Sequence, residues 1–511
     1  MNFFNIQNRE QKFLLPLILT LTILLITSCC YILIKLGVQC HWDEWTGRGL
    51  FPALAMAHGE DLYSLDRAPL VTSYGPGVAL FYLPASLAKN PIASISIAYS
   101  MNILSMISVF CLCTYYLLKH SGKRKDIIYI LSPTFLLLFI AISSIEKTMN
   151  YIYTIHADWP AMFFLITALI IFRVRLLKNQ FRINLIIAIL LSLSFWTKIT
   201  VFPAIIGFIL LPLLARRYKD FLVNIIYTSV SLFLIFVILG FAYGFKDIIF
   251  FTFKSAGAFP WIDRNSGLFE GNGMPIADFG NKLILLVKIG SLYGIEYWYY
   301  LFAATSTAAY FFVRKSYHDL LLPLTFILLL PGCLAALAKW GGIENSLLFC
   351  NTIGFLLIIE LLFKIGSIEI LKKQSYIYVF ITLTIIALLL VTPIRTARAI
   401  PENIEHSPNN QAYQYLKNGY SDIYFAWYPI SHYFVEKEVY SGLEVPTWVG
   451  LAFPNKIKFD VSHFPIDAEF IALCNKTTYG RSAIERSIGK LIKIEDRKNL
   501  ANWSLYKIDE N

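Results

Sequence analysis

Residues 183–214 read INLIIAILLSLSFWTKITVFPAIIGFILLPLL, two continuous apolar runs that are separated only by Thr197-Lys198. Neither run alternates between apolar and polar residues, which favours helices over half-exposed strands. Basic residues flank the pair, with Arg182 before the first run and Arg216 after the second. The pattern predicts two short membrane helices that are joined by a tight turn at Lys198 and have their basic ends on the opposite side.

The whole chain has the composition of a membrane protein. It is 57% hydrophobic and only 15% charged over 511 residues, with a mean hydropathy of +0.59, which is too apolar for a soluble chain of this size. Crossing a bilayer takes about 20 apolar residues, and only helices and closed barrels satisfy the backbone there. Because continuous apolar runs recur from Phe13 to Pro393, we predict an α-helical polytopic membrane protein.

The basic residues give the orientation of the helices. A net charge of +11 raises the question of nucleic acid, but the lysines and arginines lie in short clusters between apolar runs, as the positive-inside rule expects, so no nucleic-acid partner is predicted. The eight cysteines have no metal-ligand or disulfide spacing and are interpreted as small core residues.

The clusters predict about 11 crossings, with the N-terminus inside and the C-terminus outside. A cleaved signal peptide is the competing interpretation of the first run, Phe13 to Ile34. The segment from Tyr74 to Pro84 is short and broken, so it is predicted to dip into the membrane without crossing. Predicted crossings after Ile95–Leu118 are 127–145, 158–175, 183–197, 199–214, 221–243, 293–313, 320–338, 347–363 and 376–393.

This topology divides the chain into a membrane module, residues 1–393, and a tail, residues 394–511. The outer face receives the first outer loop at 36–70, the loop at 244–282 and several shorter segments. The tail is charged and aromatic, with strand-like runs at Ile423–Trp427 and Glu469–Leu473. We predict a small extracytoplasmic α/β domain there.

The first outer loop contains adjacent carboxylates, Asp43 and Glu44, between Trp42 and Trp45. They lie where a helix leaves the membrane, a partly desolvated layer in which a carboxylate becomes a better base. An ordinary interfacial tryptophan belt with solvated acids is the simpler alternative. Residues 48–58 are then predicted to form an amphipathic helix on the surface.

Three later outer segments also contain polar residues. They are His156-Ala157-Asp158 at a helix start, Thr197-Lys198, and Lys339 to Asn345. Asp158 has the alternative of a simple helix cap, and Lys198 that of a snorkelling side chain. The loop at 244–282, which includes Arg264, suits either a lid over a lipid phosphate or a disordered connector.

The order and common side of these motifs resemble the C-type membrane glycosyltransferases (the GT-C superfamily), which include the protein O-mannosyltransferases and the lipid A aminoarabinose transferase. Asp43-Glu44 corresponds to the acidic residues of that family's first outer loop, Tyr74-Gly75-Pro76 to its Tyr-x-Pro re-entry, and Asp158 to its second acidic residue. The resemblance covers residues 13–393 and leaves out the tail.

The resemblance implies transfer of a sugar from a polyprenyl-phosphate lipid to a glycan, lipid or protein acceptor outside the cytoplasm, in a bacterial cytoplasmic membrane. It implies no metal cofactor, although paired carboxylates leave room for a divalent ion. The resulting hypothesis has Asp43, Glu44 and Asp158 as catalytic residues, and as substrate-binding residues Tyr74, His156, Lys198, Arg264, Lys339 and Asn345.

The alternative function is a transporter or flippase of a lipid-linked saccharide. Transporters favour inverted repeats and charges near the membrane midplane. In this sequence the polar groups lie at one predicted face, so we favour the transferase. A membrane scaffold with an outer domain is a further alternative.

Overall fold

The structure is a computed structural model that describes residues 44–63, 74–120, 155–174, 180–263, 275–276, 278–339, 342, 344–366, 408–440, 465, 467–474, 491–494, 500 and 503–508. It is mostly helical, with a small sheet in the tail. The helices are α1 (Glu44–His58), α2 (Gly77–Tyr82), α3 (Pro91–His120), α4 (Asp158–Val174), α5 (Gln180–Thr197), α6 (Phe202–Leu214), α7 (Tyr218–Tyr243), α8 (Phe245–Ile249), α9 (Ala256–Ala258), α10 (Phe279–Glu296), α11 (Trp298–Val313), α12 (Leu321–Ala338), α13 (Leu348–Gly366), α14 (Pro408–Lys417) and α15 (Pro429–Glu436).

Three described stretches are long and apolar enough to cross a membrane. They are Pro91–Cys113, Tyr218–Tyr243 and Tyr317–Ala338. Shorter apolar helices include Phe181–Thr197 and Ile199–Leu214, the two runs with which the sequence analysis began. The predicted crossings at 127–145 and 376–393 lie outside the described residues, so the total of about 11 crossings stays a prediction.

Helix α7 has the surface that lipid contact requires. Large apolar side chains are exposed along its length, including Leu222, Phe233, Ile238 and Phe241. A face of this kind is costly in water and favourable in hydrocarbon. The apolar pattern of α7 therefore corresponds to a helix at the edge of the bundle, whereas α4 is buried over most of its length.

Helix α4 defines the two ends of the bundle. Its first residue, Asp158, contacts Lys198 just after α5 and Asn345 just before α13. Near its other end, Arg173 contacts Asp319 and Glu360. We call the Asp158 end the outer end and the Arg173 end the inner end, after the predicted topology. The directions of α4, α5, α12 and α13 agree with the predicted alternation.

The described part of the first outer loop, residues 44–63, is folded into the protein. Helix α1 was predicted from residue 48 and on the surface, but it begins at Glu44 and buries Leu50, Phe51 and Leu54. It packs on α2 and on the short 3-10 helix Leu83–Leu87. These two short elements are too short to cross a bilayer, as predicted for this segment.

The outer loop at 244–282 is largely structured. Helix α8, a π-helical turn at Phe250–Ser255 and α9 occupy its first part. Strands β1 (Trp261–Ile262) and β2 (Pro275–Ile276) then pair antiparallel. One helix was predicted at 293–313, but the structure has two, α10 and α11, which are separated at Tyr297. Helix α10, with Asp278 as its N-cap, was not predicted because glycines and lysines interrupt its apolar run.

The tail contains α14, α15 and a sheet of four strands: β3 (Ile423–Tyr424), β4 (Phe470–Cys474), β5 (Leu491–Lys493) and β6 (Trp503–Ile508). The strand order is β3-β4-β6-β5, with β3 parallel to β4 and the other pairs antiparallel. Helix α15 buries Ile430 and Phe434 in the core of the membrane module, against α1 and α3. The tail thus packs directly on the first outer loop.

Candidate active site at the outer end

Asp158 is the centre of a cluster of polar side chains at the outer end. The residue is only 1% exposed. Its Oδ1 atom contacts the ammonium of Lys198, and its Oδ2 atom accepts a hydrogen bond of 3.1 Å from the Asn345 amide. An ion in such a buried position is stable only when it is paired and hydrogen-bonded. These side chains, which the sequence analysis selected from separate segments, therefore form one group.

His156 and Tyr74 extend this group. The Nδ1 atom of His156 contacts Asp158 Oδ2, and its Nε2 atom lies 3.0 Å from the Tyr74 hydroxyl. Because an ionised carboxylate only accepts hydrogen bonds, Nδ1 carries a proton in this contact, and the Tyr74 hydroxyl is the hydrogen-bond partner of Nε2. We call Tyr74, His156, Asp158, Lys198 and Asn345 the Asp158 cluster.

Two further tyrosines hold the backbone of the Asp158 cluster. The Tyr82 hydroxyl donates to the His156 carbonyl at 2.8 Å and lies 2.9 Å from Oδ1 of Asn102. The Tyr63 hydroxyl donates to the Tyr74 carbonyl. The sequence analysis missed Tyr82 and Asn102. Their only signal was that they are polar side chains within otherwise apolar segments.

Three glycines allow the backbones around the Asp158 cluster to meet. A Cβ atom on Gly75 would lie 2.0 Å from the carbonyl oxygen of Trp196, and one on Gly77 would lie 2.5 Å from Oγ1 of Thr197. A Cβ atom on Gly49 of α1 would lie 2.0 Å from the carbonyl oxygen of Ile155. Such close approach requires glycine. Both the re-entrant segment and α1 therefore pack directly on the backbone that positions the cluster.

Lys198 has an apolar as well as an acidic neighbour. Its ammonium lies 5.8 Å from the centroid of the Phe349 ring, and its side chain is 11% exposed. The side chain does not merely extend to the membrane surface, because it turns inward to Asp158. The snorkelling alternative is therefore wrong for this lysine.

Lys339 lies in a different environment from Lys198. Its backbone forms a β-bridge with Trp261, and its carbonyl accepts from the Gly342 amide at 2.8 Å. Burial lowers the pKa of the Lys339 ammonium, and the charge of Lys282 lowers it further. The outer loop and the first turn of α10 thus bring two lysines into electrostatic contact.

Some predicted residues cannot be placed. Asp43, Arg264 and the Glu44 side chain lie outside the described residues. The backbone of Glu44 begins α1, and a rise of 1.5 Å per residue puts it about 8 Å along the helix from Gly49. Gly49 itself contacts Ile155, which precedes His156 of the Asp158 cluster.

A second charged network lies at the inner end. Arg173 donates to Asp319 at 3.0 Å and to Glu360 through both terminal nitrogens, one at 3.1 Å. Tyr116 donates to Glu360 at 3.2 Å. By its position Arg173 belongs to one of the short basic clusters between apolar runs, which the positive-inside rule places at the inner surface, but its side chain is buried. This network ties α3, α4 and α13 to the start of α12.

An open cavity lies beside the inner network. Its empty volume, which includes space open to solvent, is about 350 Å³, and its lining includes Phe172, Asn184, Arg217, Asn224 and His318. Fifteen residues of helix, about 22 Å, separate Asp158 from Arg173 along α4. The cavity therefore belongs to the inner end of the bundle.

Among the residues that the structure describes, no three His, Cys, Asp or Glu side chains group in a way that could hold a metal ion. Asp43 and the side chain of Glu44, the paired carboxylates for which the sequence leaves a divalent ion possible, lie outside the described residues.

The side chains of the Asp158 cluster come from segments as far apart in sequence as those of Tyr74 and Asn345. In comparisons with protein families, with curated proteins and with solved structures, nothing matched this chain.

Proposed function

We propose that the protein is a glycosyltransferase that moves a sugar from a polyprenyl-phosphate lipid to an acceptor on the extracytoplasmic face of the membrane. The observation that supports this most is the Asp158 cluster, in which a buried carboxylate is bonded to an imidazole, a lysine ammonium and an amide at one end of an apolar bundle. Polar groups that converge in this way within a membrane protein are usually functional.

The membrane setting suits a lipid-linked donor. A polyprenyl chain cannot leave the bilayer, so a transferase that uses it needs its reacting groups at the membrane interface. Asp158 begins α4 and Lys198 directly follows α5, so both residues lie at helix ends, where the reacting groups of such a transferase are needed. The exposed apolar surface of α7 and α10 gives the lipid tail a hydrocarbon environment beside the bundle.

The reaction needs a base for the acceptor hydroxyl. That proton leaves as the acceptor oxygen bonds to the anomeric carbon and the bond to the lipid phosphate breaks, through an oxocarbenium-like state. Asp43 is our first choice for this base and Glu44 the second. Asp158 is less suited, because both of its oxygens already accept from other side chains. We assign it the role of a positioning residue.

The leaving phosphate needs positive charge more than it needs a proton. Lys198, Lys339 and Arg264 are the candidates, since a fixed cation stabilises a developing phosphate charge. Lys198 has to share its ammonium between Asp158 and the phosphate. Lys339 is held beside Lys282, and an anion would relieve the repulsion between these two lysines.

The competing proposal is a transporter of a lipid-linked saccharide. The buried Arg173 network and the nearby cavity favour it, because charges on a transport path are often intramembrane. However, the guanidinium of Arg173 is fully engaged by Asp319 and Glu360. Charges that are paired with one another in this way are more typical of a contact that holds helices together than of a transport path.

The proposal is tested with a panel of radiolabelled polyprenyl-phosphate sugars. Membranes from cells that express the wild-type chain should transfer label from at least one donor to a product that remains after lipid extraction. Membranes with Asp158→Asn should transfer far less, and those with Glu60→Gln should match the wild type, because the Glu60 side chain pairs with the partly exposed ring of His58. Equal transfer by all three would reject the role of Asp158, and no transfer by the wild type above that of membranes that lack the protein would reject the proposal.

Sidedness has its own test. A reporter that is active only outside the cytoplasm should work after Leu62, Ser255 or Asn410 and fail after Arg124, Arg217 or Lys373. Reversed activity at Leu62 and Ser255 would place the Asp158 cluster on the cytoplasmic face and would contradict an extracytoplasmic reaction.

A further inference from the structure

Two cysteines meet across the helix pair that supports the last outer loop. Cys333 of α12 and Cys350 of α13 are both fully buried. The Cys350 thiol donates to the Cys333 sulfur, with an Sγ–Sγ distance of 3.2 Å. A disulfide needs about 2.05 Å, so a displacement of about 1 Å separates this contact from a covalent bond.

The position of the two thiols connects them to the Asp158 cluster. Both lie below the loop at 339–347, with Cys333 shortly before Lys339 and Cys350 shortly after Asn345. Asn345 donates to Asp158 from this loop, and Lys339 is paired with Trp261. A bond between the two sulfurs would therefore join the two helices at the ends of this loop and hold Lys339 and Asn345 in place.

We propose that Cys333 and Cys350 form a disulfide that clamps the outer loop at 339–347. This inference does not depend on the proposed transferase activity. It depends on the outer end facing an oxidising compartment, where protein disulfides form and persist. The sequence analysis interpreted the cysteines only as core residues, because seventeen positions separate this pair along the chain and the helices alone bring it together.

The chemistry is a thiol–disulfide exchange. A disulfide-bonded oxidoreductase of the outer compartment is the oxidant. One cysteine thiolate attacks the oxidant's disulfide and forms a mixed disulfide, and the second thiolate then displaces the oxidant as a dithiol. The two cysteines lose two protons and two electrons, and the oxidant gains both. Since both sulfurs are buried in the folded bundle, the exchange takes place before α12 and α13 finish packing.

The test is differential alkylation of the full-length protein. Membranes are quenched in acid, denatured and treated with one maleimide without reductant, then reduced and treated with an isotopically heavy maleimide. Cys111 and Cys113 provide matched controls, one exposed and one buried. They should take the first label. Cys333 and Cys350 should take only the second, and peptide mass spectrometry gives the ratio at each position.

A Cys350→Ser variant separates a specific bond from general inaccessibility. In this variant Cys333 should take the first label, because its partner is gone. Labelling after denaturation makes the result independent of whether the variant folds. First-label modification of Cys333 and Cys350 in the wild type, at the level of Cys113, would overturn the proposal.

Discussion

Lys198 and Asp158, separated by 40 residues in sequence, form a buried ion pair between the end of α5 and the start of α4. Their side chains are 11% and 2% exposed. The pair explains how two short helices fix a charged group at the end of an apolar bundle. Each charge compensates the other, and His156 and Asn345 both bond to the second oxygen of the carboxylate.

The first prediction concerns this pair. Asp158→Asn and Lys198→Met should each destabilise the protein, because each leaves one buried charge without its partner, at a cost of about 3 to 5 kcal/mol. The double variant should lose less than the sum of the single losses, since it leaves no unpaired charge. Thermal unfolding of the four proteins in detergent measures the coupling, and strictly additive losses would show that the pair does not form.

The second prediction concerns the base. Asp43→Asn keeps the size of the side chain and removes its proton affinity, so turnover should fall by about 100-fold or more while the protein still folds. Glu60→Gln, in the turn after α1, is the matched control and should retain turnover. Near-normal transfer by Asp43→Asn would move the role to Glu44.

The third prediction concerns the close approach of two backbones. Gly75→Ala would place a Cβ atom 2.0 Å from the Trp196 carbonyl oxygen, so the segment that carries Tyr74 must move. A misplacement of about 1 Å can cost about 100-fold in rate, and turnover should fall steeply. Gly257→Ala, whose Cβ atom would meet nothing within 4 Å, should be neutral. Equal turnover of the two variants would show that the position of Tyr74 does not affect the reaction.

The motifs at the outer end were predictable because charged residues are rare in an apolar chain and their sidedness follows from the basic clusters. Asp158 and Lys198 were selected for this reason, whereas Tyr74 was selected from the Tyr-x-Pro resemblance. The pairing of Lys198 with Asp158 was not predicted, since that contact depends on how α4 and α5 pack. The assignment of Lys198 and Lys339 to substrate binding stays a prediction.

The inner network was not predictable in the same way. Arg173 follows an apolar run and precedes further basic residues, a pattern typical of a solvated helix end. Its burial depends on Glu360 from a helix almost 200 residues later. The buried face of α1 was not predicted for a related reason. Helix α1 packs on α2, which is short, and on α15 of the tail, which is distant in sequence. Long-range packing of this kind leaves little trace in local periodicity.

The fourth prediction concerns pH. Lys339 binds an anion only when it is protonated, and burial together with the Lys282 charge lowers its pKa below the ordinary lysine value. Use of the donor should therefore be lost as the pH rises through that pKa. Lys282→Met removes the neighbouring charge and raises the pKa of Lys339, so the alkaline limb of the activity profile should move to higher pH.

The control for this shift is Lys288→Met, on the same helix. Lys288 pairs with Asp263 at 2.8 Å, and both side chains are exposed, so its replacement should leave the alkaline limb in place. A limb that stays fixed in Lys282→Met, or that moves equally in both variants, would show that Lys339 does not hold the donor phosphate.

The most direct measurement uses a donor with separate labels on the sugar and on the lipid. Purified protein in liposomes is supplied with this donor and with acceptor-containing membrane extract. We predict that the wild type separates the two labels, that the lipid label is recovered as polyprenyl phosphate, and that Asp158→Asn does so far more slowly. Equal separation of the labels by wild type and Asp158→Asn would support a transferase but exclude the Asp158 cluster from its mechanism. Labels that stay together while the lipid changes leaflet would indicate a flippase and would contradict the proposed transferase.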